Sequence, residues 1–202
     1  GAVGGGAAGG ASAERELWAV GLSPVLALWQ KVGAACEPLR SHATGSLKEA
    51  SSPLEAFTAL EAARGKALLR RIDESLAAIG RVVRGAELLG AFTKREGSAL
   101  LRGELPEAWT SLWEGPQSVP PSAWLREAAR RLSTLPGWAD AARAGALLER
   151  PVQLRELLHP AFFLTALRQQ TARAQGAPMD SLALACAFSA RELKGATAIC
   201  AA

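Results

Sequence analysis

The chain has 202 residues, of which 49% are hydrophobic and 21% charged. This composition is typical of a globular protein with one large or two small hydrophobic cores. Its 23 basic and 19 acidic residues give a net charge of +4, and the two signs are interleaved along the sequence. A nucleic-acid-binding protein usually concentrates its basic residues on one face, so the charge pattern argues against that class.

Cysteine usage and hydropathy indicate the compartment. Cys36, Cys186 and Cys200 lie far apart and form no Cys-x-x-Cys pair, which argues against a disulfide framework or a zinc site and favours a reducing compartment. No apolar run approaches the roughly 20 residues of a membrane span, and the Gly/Ala-rich start does not have the pattern of a signal peptide. Because the sequence starts without Met and stops at ICAA, we expect a segment of a longer protein.

The first elements are predicted from local composition. Residues 1–13 form a low-complexity Gly/Ala run, which we interpret as a loop. Ser23 and Pro24 predict the start of a helix over about 24–34, because Ser caps a helix well and Pro suits its first position. A connection is expected over 36–51, with or without a helical turn.

A capping box at residues 52–55, Ser-Pro-Leu-Glu, gives the strongest local signal. The Ser side chain can accept the amide of the third helical residue, while Glu55 can reach back to the Ser52 amide. A single apolar stripe follows and predicts a helix from 53 to about 84. A second helix is expected over about 86–102, with Leu88 on its apolar face, although Gly97 costs it about 1 kcal/mol relative to Ala.

Prolines divide the second half of the sequence. Between residues 106 and 121 they predict an irregular region around Trp109 and Trp113. A helix should open at Pro121 or Ser122 and close before Pro136, because proline removes a helical hydrogen bond. A short helix is expected from Trp138 to about Leu148.

The last elements complete the predicted fold. Residues 152–158 are interpreted as extended or as a helical turn, and a further helix should run from Pro160 to Gly176. A short piece begins at Asp180, and residues 196–202 resemble a strand. The predicted fold class is mainly α, a multi-helix array with short Pro-rich connections and the start of a β-structure at its C-terminal end.

Each residue pattern that suggests chemistry also has a structural interpretation. Gly65-Lys66-Ala67 lacks the remaining residues of a phosphate-binding loop and lies inside a predicted helix. His42 and His159 have no second metal ligand at helical spacing, so a helix-start or surface histidine is expected. Cys36 with His42 lacks the orienting carboxylate of a nucleophilic site.

Acidic and aromatic residues are interpreted in the same way. Asp73 and Glu74 are adjacent on a helix and point about 100° apart, so we expect a solvated face rather than an acid/base pair. At least four of the six tryptophans are expected to anchor short helices. We therefore predict no catalytic, cofactor-binding or metal-binding residue in this segment.

The helix that starts at Pro160 is predicted to have two distinct faces. The buried face should contain Phe163, Leu164, Leu167, Thr171 and Ala174. The polar face should contain Thr165, Arg168, Gln169 and Arg173.

An ordered series of motifs in the second half points to a family. The series reads PEAW at 106–109, WLREAARRL at 124–132, Trp138, HPAFFLTALRQQTAR at 159–173 and MDSL at 179–182. It resembles the C-terminal region of dynein heavy chains. The capping-box helix and PVLALWQK at 24–31 also fit that family, so the resemblance covers about residues 23–182.

A finer resemblance rests on two short motifs. WEGP at 113–116 and LLHP at 157–160 are most similar to the cytoplasmic dynein two class, the motor of retrograde intraflagellar transport. Axonemal and conventional cytoplasmic forms tend to have an aromatic-rich F-F-x-P there.

The resemblance implies a division of the sequence and a mechanical role. Residues 1–22 would be a Gly/Ala-rich loop and lead-in, 23–110 would resemble the small subdomain of the sixth AAA+ module, and 111–202 would start the C-terminal domain. The parent would be an ATP-driven, minus-end-directed microtubule motor. The segment would pack on the AAA+ ring without an active site and would not be an enzyme by itself.

The same resemblance implies cofactors, partners and location. ATP and magnesium would belong to the parent motor and not to this segment. Partners would be the rest of the heavy chain and, through other parts of it, intermediate chains, light chains and microtubules; neither nucleic acid nor membrane is expected. The location would be the cytoplasm, cytoskeleton and cilium or flagellum.

Two other interpretations stay open. A standalone helical adaptor would bind a protein partner through its Trp/Leu faces. A small-molecule enzyme with a Trp-lined pocket is disfavoured, because no acid, base and nucleophile set converges in the sequence.

Overall fold

The protein is mainly helical in the computed structural model, which describes residues 6–43, 49–149, 151–184 and 200–201. The helices are α1 (Gly6–Val32), α2 (Glu37–Ser41), α3 (Pro53–Val83), α4 (Ala91–Leu101), α5 (Glu107–Thr110), α6 (Pro121–Arg143) and α7 (Pro160–Gln175). Two short parallel strands, β1 (Val152–Gln153) and β2 (Cys200–Ala201), pair Val152 with Cys200 and Gln153 with Ala201. The predicted fold class is confirmed.

The protein forms two compact units, each built from two separate stretches. Unit 1 contains residues 1–37 and 67–129, and unit 2 contains 38–66 and 130–202. Helices α3 and α6 therefore contribute residues to both units. The predicted boundaries after residues 22 and 110 do not coincide with this division, and the assignment to an AAA+ module and a C-terminal domain stays a prediction.

Helix α1 starts earlier than the sequence predicts. It runs through Ser23 and Pro24, whose hydroxyl and ring were expected to start a helix. Ser23 instead donates its hydroxyl to the carbonyl of Ala19 inside the helix. Because Trp18 and Leu22 are buried on the N-terminal side of the proline, packing offsets the helical hydrogen bond that proline removes. The predicted loop is therefore wrong over residues 6–13, and its first five residues lie outside the described part of the protein.

The stretch that contains most of α1 and all of α2 is more apolar than predicted. Residues 15–41 are long and apolar enough, by length and composition, to cross a membrane. This is weak evidence for a membrane span, because a core helix in a water-soluble protein passes the same test. Trp18, Leu22 and Trp29 in this stretch are buried within the protein.

The capping box works with one change in partner. Glu55 donates its amide to the Ser52 hydroxyl at 3.1 Å, as predicted. The Glu55 carboxylate accepts the amide and hydroxyl of Ser51, at 2.8 and 2.6 Å, rather than the Ser52 amide. These hydrogen bonds from Ser51 lower the pKa of Glu55. The predicted bounds of α3 are confirmed within one residue.

Two other predicted boundaries are wrong. Helix α4 starts at Ala91, after the extended Gly90, rather than near residue 86. Gly85, with a φ of +72°, and the hydrogen bond from the Ala86 amide to the Arg81 carbonyl cap the end of α3 instead. Leu88 lies before the helix and is 92% exposed. Helix α6 continues through Pro136 to Arg143, so the predicted break and separate short helix are absent there.

Buried residues on both sides of Pro136 explain this continuity. Leu132, Leu135, Trp138 and Ala139 are all buried, so ending the helix at the proline would expose part of this row. Burying a large apolar side chain of this kind contributes on the order of 1.5–3 kcal/mol to the free energy of unfolding. That is comparable with the roughly 3 kcal/mol that proline costs in a helix interior.

Gly97 has a packing role in unit 1. A Cβ atom at this position of α4 would collide with the six-membered ring of Trp18 in α1. Glycine lets the two helices approach, and this gain offsets the helix-propensity cost expected from the sequence.

We predict opposite effects for two glycine-to-alanine changes. Gly97→Ala should lower the free energy of unfolding by about 1–3 kcal/mol, because Trp18 must move. Gly137→Ala in α6 should raise it by about 0.5–1 kcal/mol, because no atom lies within 4 Å of the added Cβ. Urea unfolding of both variants measures the difference. A stabilising Gly97→Ala would contradict the close packing on Trp18.

Candidate functional site

Helix α7 carries the longest motif of the resemblance, and its ends match the prediction. Pro160 occupies the first turn and Gly176 ends the helix with a φ of +62°. The Ala177 amide bonds back to the Ala172 carbonyl at 3.0 Å, which satisfies a terminal carbonyl of the helix.

The start of α7 is held by a carboxylate from α3. Glu61, only 2% exposed, accepts the His159 amide through Oε1 at 2.8 Å. Its Oε2 lies 2.8 Å from Nδ1 of the same histidine. His159 is thus at a helix start, as expected, but it is half-buried and bound rather than free on the surface. No local pattern indicates this contact, because 98 residues separate the two partners.

The apolar face of α7 packs into the core of unit 2. Phe163 is fully buried, with its ring centre 5.7 Å from those of Phe57 and Trp138. Ala166, Leu167 and Ala172 are also buried, while Leu164 and Thr171 are half-buried and Ala174 is exposed. The predicted face is correct at its centre and wrong at Ala174.

Part of the polar face of α7 binds within unit 2. Arg168 donates from Nη2 to the Met179 carbonyl at 3.0 Å. Near it on the helix, Oε1 of Gln170 accepts the Leu54 amide at 3.3 Å, at the start of α3. Gln169 and Arg173 are exposed, as predicted for the polar face.

Three tryptophans form a cluster in unit 1. The ring centres of Trp109 and Trp124 lie 5.9 Å apart, and those of Trp113 and Trp124 lie 5.1 Å apart. Trp109 donates its indole N–H to the hydroxyl of buried Ser75 at 3.1 Å. The cluster therefore links the PEAW and WEGP motifs to α6 and α3.

Trp113, Glu114 and Gly115 of the WEGP motif all lie against the Trp124 indole. Trp124 donates its indole N–H to the Glu114 carbonyl at 3.2 Å. Gly115 has a φ of +67°, and a Cβ atom there would collide with the Trp124 indole. Glycine is thus required both for the backbone conformation and for close approach of the ring.

All six tryptophans are buried, which confirms the predicted anchoring role. Trp29 donates its indole N–H to Oδ1 of Asp73 at 2.8 Å. Asp73 is therefore half-buried and bound, so the expectation that it lies on a solvated face with Glu74 is wrong for Asp73. Glu74 is exposed and lies near Arg70 and Arg71.

The other candidate residues have structural contacts. Gly65 lies inside α3, where a Cβ atom would collide with Leu135, and Lys66 donates from Nζ to the His42 carbonyl. Cys36 is buried with its sulfur 3.6 Å from the Ala129 carbonyl oxygen. Within the described ranges, no group of three or more His, Cys, Asp or Glu residues could hold a metal ion.

One buried charged residue was not predicted. Glu96 on α4 is 2% exposed, and neither carboxylate oxygen has a hydrogen-bond partner in the described structure. Burial raises the pKa of its carboxyl, while the nearby Ser75 hydroxyl and the charges of Arg71 and Arg95 lower it by smaller amounts. The Ser75 hydroxyl donates its proton to the Arg71 carbonyl at 2.8 Å rather than to Glu96. Glu96 also lines a cavity of about 430 Å³.

We predict that the Glu61 contact stabilises the protein. Glu61→Ala should lower the free energy of unfolding by about 1–3 kcal/mol, because it leaves polar groups of His159 without an acceptor. Glu74→Ala on the same helix should change it by less than about 0.5 kcal/mol, since its ion pairs are exposed. Thermal unfolding compares the two variants, and equal effects would contradict a specific role of Glu61.

We also predict a pH effect from Glu96 in the 202-residue segment on its own. Because burial raises the native-state pKa of this carboxyl, the native protein holds its proton at pH values where the unfolded protein has lost it. The free energy of unfolding should therefore fall as pH rises above about 4.3, the ordinary pKa of Glu, until the native-state pKa is passed.

Glu96→Gln should remove this contribution and be at least as stable as the wild type at neutral pH. Urea unfolding of both proteins over a pH series isolates the Glu96 effect from that of other carboxyls. A variant clearly less stable than the wild type at neutral pH would show that the carboxylate is already paired within the segment.

Comparison with known proteins agrees with the motif pattern. The sequence profile of the C-terminal domain of dynein heavy chains matches residues 3–197. Cytoplasmic dynein 2 heavy chain 1 of Homo sapiens is 38% identical over 182 residues, which make up 90% of the present sequence and 4% of that protein. The protein of the same name from Chlamydomonas reinhardtii is 34% identical over 195 residues, with the same two coverages. Human dynein axonemal heavy chain 9 is 28% identical over 126 residues, covering 62% of the present sequence and 3% of that protein.

The family match includes nearly all of the described residues. The segment spans about 4% of the length of its cytoplasmic dynein 2 relatives, so it corresponds to one region of a much larger protein. Among the motifs quoted above, PEAW, WEGP and WLREAARRL supply the tryptophan cluster, and LLHP supplies His159 and Pro160 at the start of α7. The protein belongs to the family defined by the C-terminal domain of dynein heavy chains.

Proposed function

We propose that this segment is a structural, non-catalytic part of the heavy chain of the retrograde intraflagellar-transport motor. The observation that carries the proposal is the match of residues 3–197 to the family profile, together with up to 38% identity to proteins named cytoplasmic dynein 2 heavy chain 1. The parent would move toward microtubule minus ends in the cytoplasm and in cilia or flagella.

The contacts of the motif residues support a mechanical role. The indole N–H groups of Trp109 and Trp124 and the amide of His159 all bind groups of their own unit. Arg168 likewise binds a backbone carbonyl. Such bonds stiffen a packed helical element, whereas a catalytic site needs polar groups that are directed at a substrate.

ATP and magnesium would act elsewhere in the parent. The Gly65-Lys66 pair does not fit a nucleotide, because it lies inside α3 and contacts Leu135 and the His42 carbonyl. The described residues also offer no set of metal ligands. The segment would instead pack on the AAA+ ring, while intermediate chains, light chains and microtubules bind other parts of the heavy chain.

A second candidate is the standalone helical adaptor. Leu17, Val20 and Leu88 in unit 1 are 62%, 80% and 92% exposed, so these apolar side chains are available to a protein partner. The same groups can contact the rest of a heavy chain. The family match therefore favours the motor segment over the adaptor.

Truncation of the parent heavy chain before residue 1 tests the proposal. We expect the truncated motor to bind ATP and keep its basal ATPase activity, but to move along microtubules with altered velocity or run length. The isolated 202-residue segment should show no ATPase activity. Unchanged motility would contradict the mechanical role, and ATP turnover by the isolated segment would contradict its non-catalytic character.

A further inference from the structure

The buried carboxylate of Glu96 has no hydrogen-bonded partner among the described residues, although Arg71 and Arg95 lie near enough for their charges to offset part of the rise that burial causes in its pKa. Glu96 belongs to unit 1 and is 2% exposed, and both of its carboxylate oxygens are without a hydrogen-bond partner among the described residues. A buried charge that is neither paired nor hydrogen-bonded is strongly disfavoured. A protein that keeps a carboxylate in such a place needs either a proton or a cation there.

The cavity beside Glu96 has room for a group from outside the segment. It has a volume of about 430 Å³ and is formed by the second half of α4 and the residues that follow it, up to Ser111. A single water occupies only about 30 Å³. The cavity can therefore admit the end of a long side chain.

The acidic lining favours a cation at Glu96, where Arg71 and Arg95 act by their charges without a hydrogen bond to the carboxylate. Besides Glu96, the cavity lining contains Glu104 and Glu107, against Arg95 and Arg102. Arg102 is paired with Glu104 at 2.7 Å, and Arg95 lies over the Phe92 ring, 5.7 Å from its centre. An anionic group would meet the unpaired Glu96, whereas an ammonium or guanidinium group would neutralise it.

A metal ion fits the cavity less well than an organic cation. Calcium takes six to eight oxygen ligands, and magnesium needs a nearly octahedral set. No group of three or more acidic, His or Cys residues suitable for a metal occurs in the described ranges. A lysine or arginine can form a charge-assisted hydrogen bond with a single buried carboxylate, which Glu96 supplies.

We propose that the Glu96 cavity receives a lysine or arginine from a part of the heavy chain outside residues 1–202. This inference rests on the proposed function, since that part is present only if the segment belongs to a motor heavy chain. The relatives are far longer than this segment, which covers 4% of their length. A partner on the same polypeptide has a high effective concentration at the cavity.

The expected effect of Glu96→Gln differs between the isolated segment and the intact heavy chain. In the 202-residue segment alone, Glu96→Gln removes an unpaired acid and should not destabilise the fold. In the intact heavy chain, the same change leaves the incoming cation without its carboxylate. Loss of one member of a buried charge pair acts mainly on the dissociation rate.

A cleavable heavy chain tests the proposal directly. A specific protease site is placed before residue 1 of the full heavy chain, and release of the C-terminal fragment is followed after cleavage. The wild-type fragment should stay bound, and Glu96→Gln should speed its release about tenfold or more. Glu107→Gln is the matched control, because Glu107 lines the same cavity but is exposed; its release should equal the wild type.

The outcomes separate the two proposals. If the wild-type and Glu96→Gln fragments both stay bound and dissociate at the same slow rate, the cation site is overturned and the proposed function is left intact. Immediate release of the wild-type fragment would overturn ring packing, and the cation site would fall with it. Because Glu96→Gln should keep the isolated segment folded, misfolding would be detected beforehand by urea unfolding.

A structure of the intact heavy chain gives a second measurement. We expect a lysine Nζ or an arginine guanidinium nitrogen from outside residues 1–202 within about 4 Å of the Glu96 carboxylate. Water alone in the cavity, or Arg95 or Arg102 turned onto Glu96, would overturn the proposal.

Discussion

Helix α3 is the element on which the other contacts depend, because its polar residues must find partners inside the protein. Glu61 holds the start of α7 through His159, Ser75 accepts the indole of Trp109, and Asp73 accepts that of Trp29. Each bond joins α3 to a motif far away in sequence. Leaving any of these polar groups buried without its partner would cost about 1–3 kcal/mol. The hydrogen bonds of α3 therefore favour one placement of each residue that they bind.

Local signals predicted the elements whose ends are fixed by local chemistry. Ser52 and Pro53 start α3, while Pro160 and Gly176 bound α7, because caps and proline positions act within a few residues. The same reasoning failed at Pro24 and Pro136. There, burial of residues on both sides of the proline decides the outcome, and burial depends on segments far away in sequence.

The candidate site shows the same limit more sharply. The contact of Glu61 with His159 spans 98 residues, and neither residue type predicts it. Glu96 follows Arg95 in a mixed-charge stretch that has the pattern of an exposed helix face. Its burial arises only when α4 is packed against its neighbours. The family resemblance identified the region, but it did not single out either carboxylate.

Glu61 and Glu96 have the same chemistry and the same 2% exposure, yet their surroundings differ. Both Glu61 oxygens bind polar groups of His159 in unit 2, so its burial is compensated within this segment. Glu96 has no such partner among the described residues, and its carboxyl pKa is raised by burial. Because the segment belongs to a family of much longer proteins, we propose that the counter-group of Glu96 comes from the rest of such a heavy chain. The first carboxylate thus fixes the segment internally, and the second marks where we expect the rest of the heavy chain to attach.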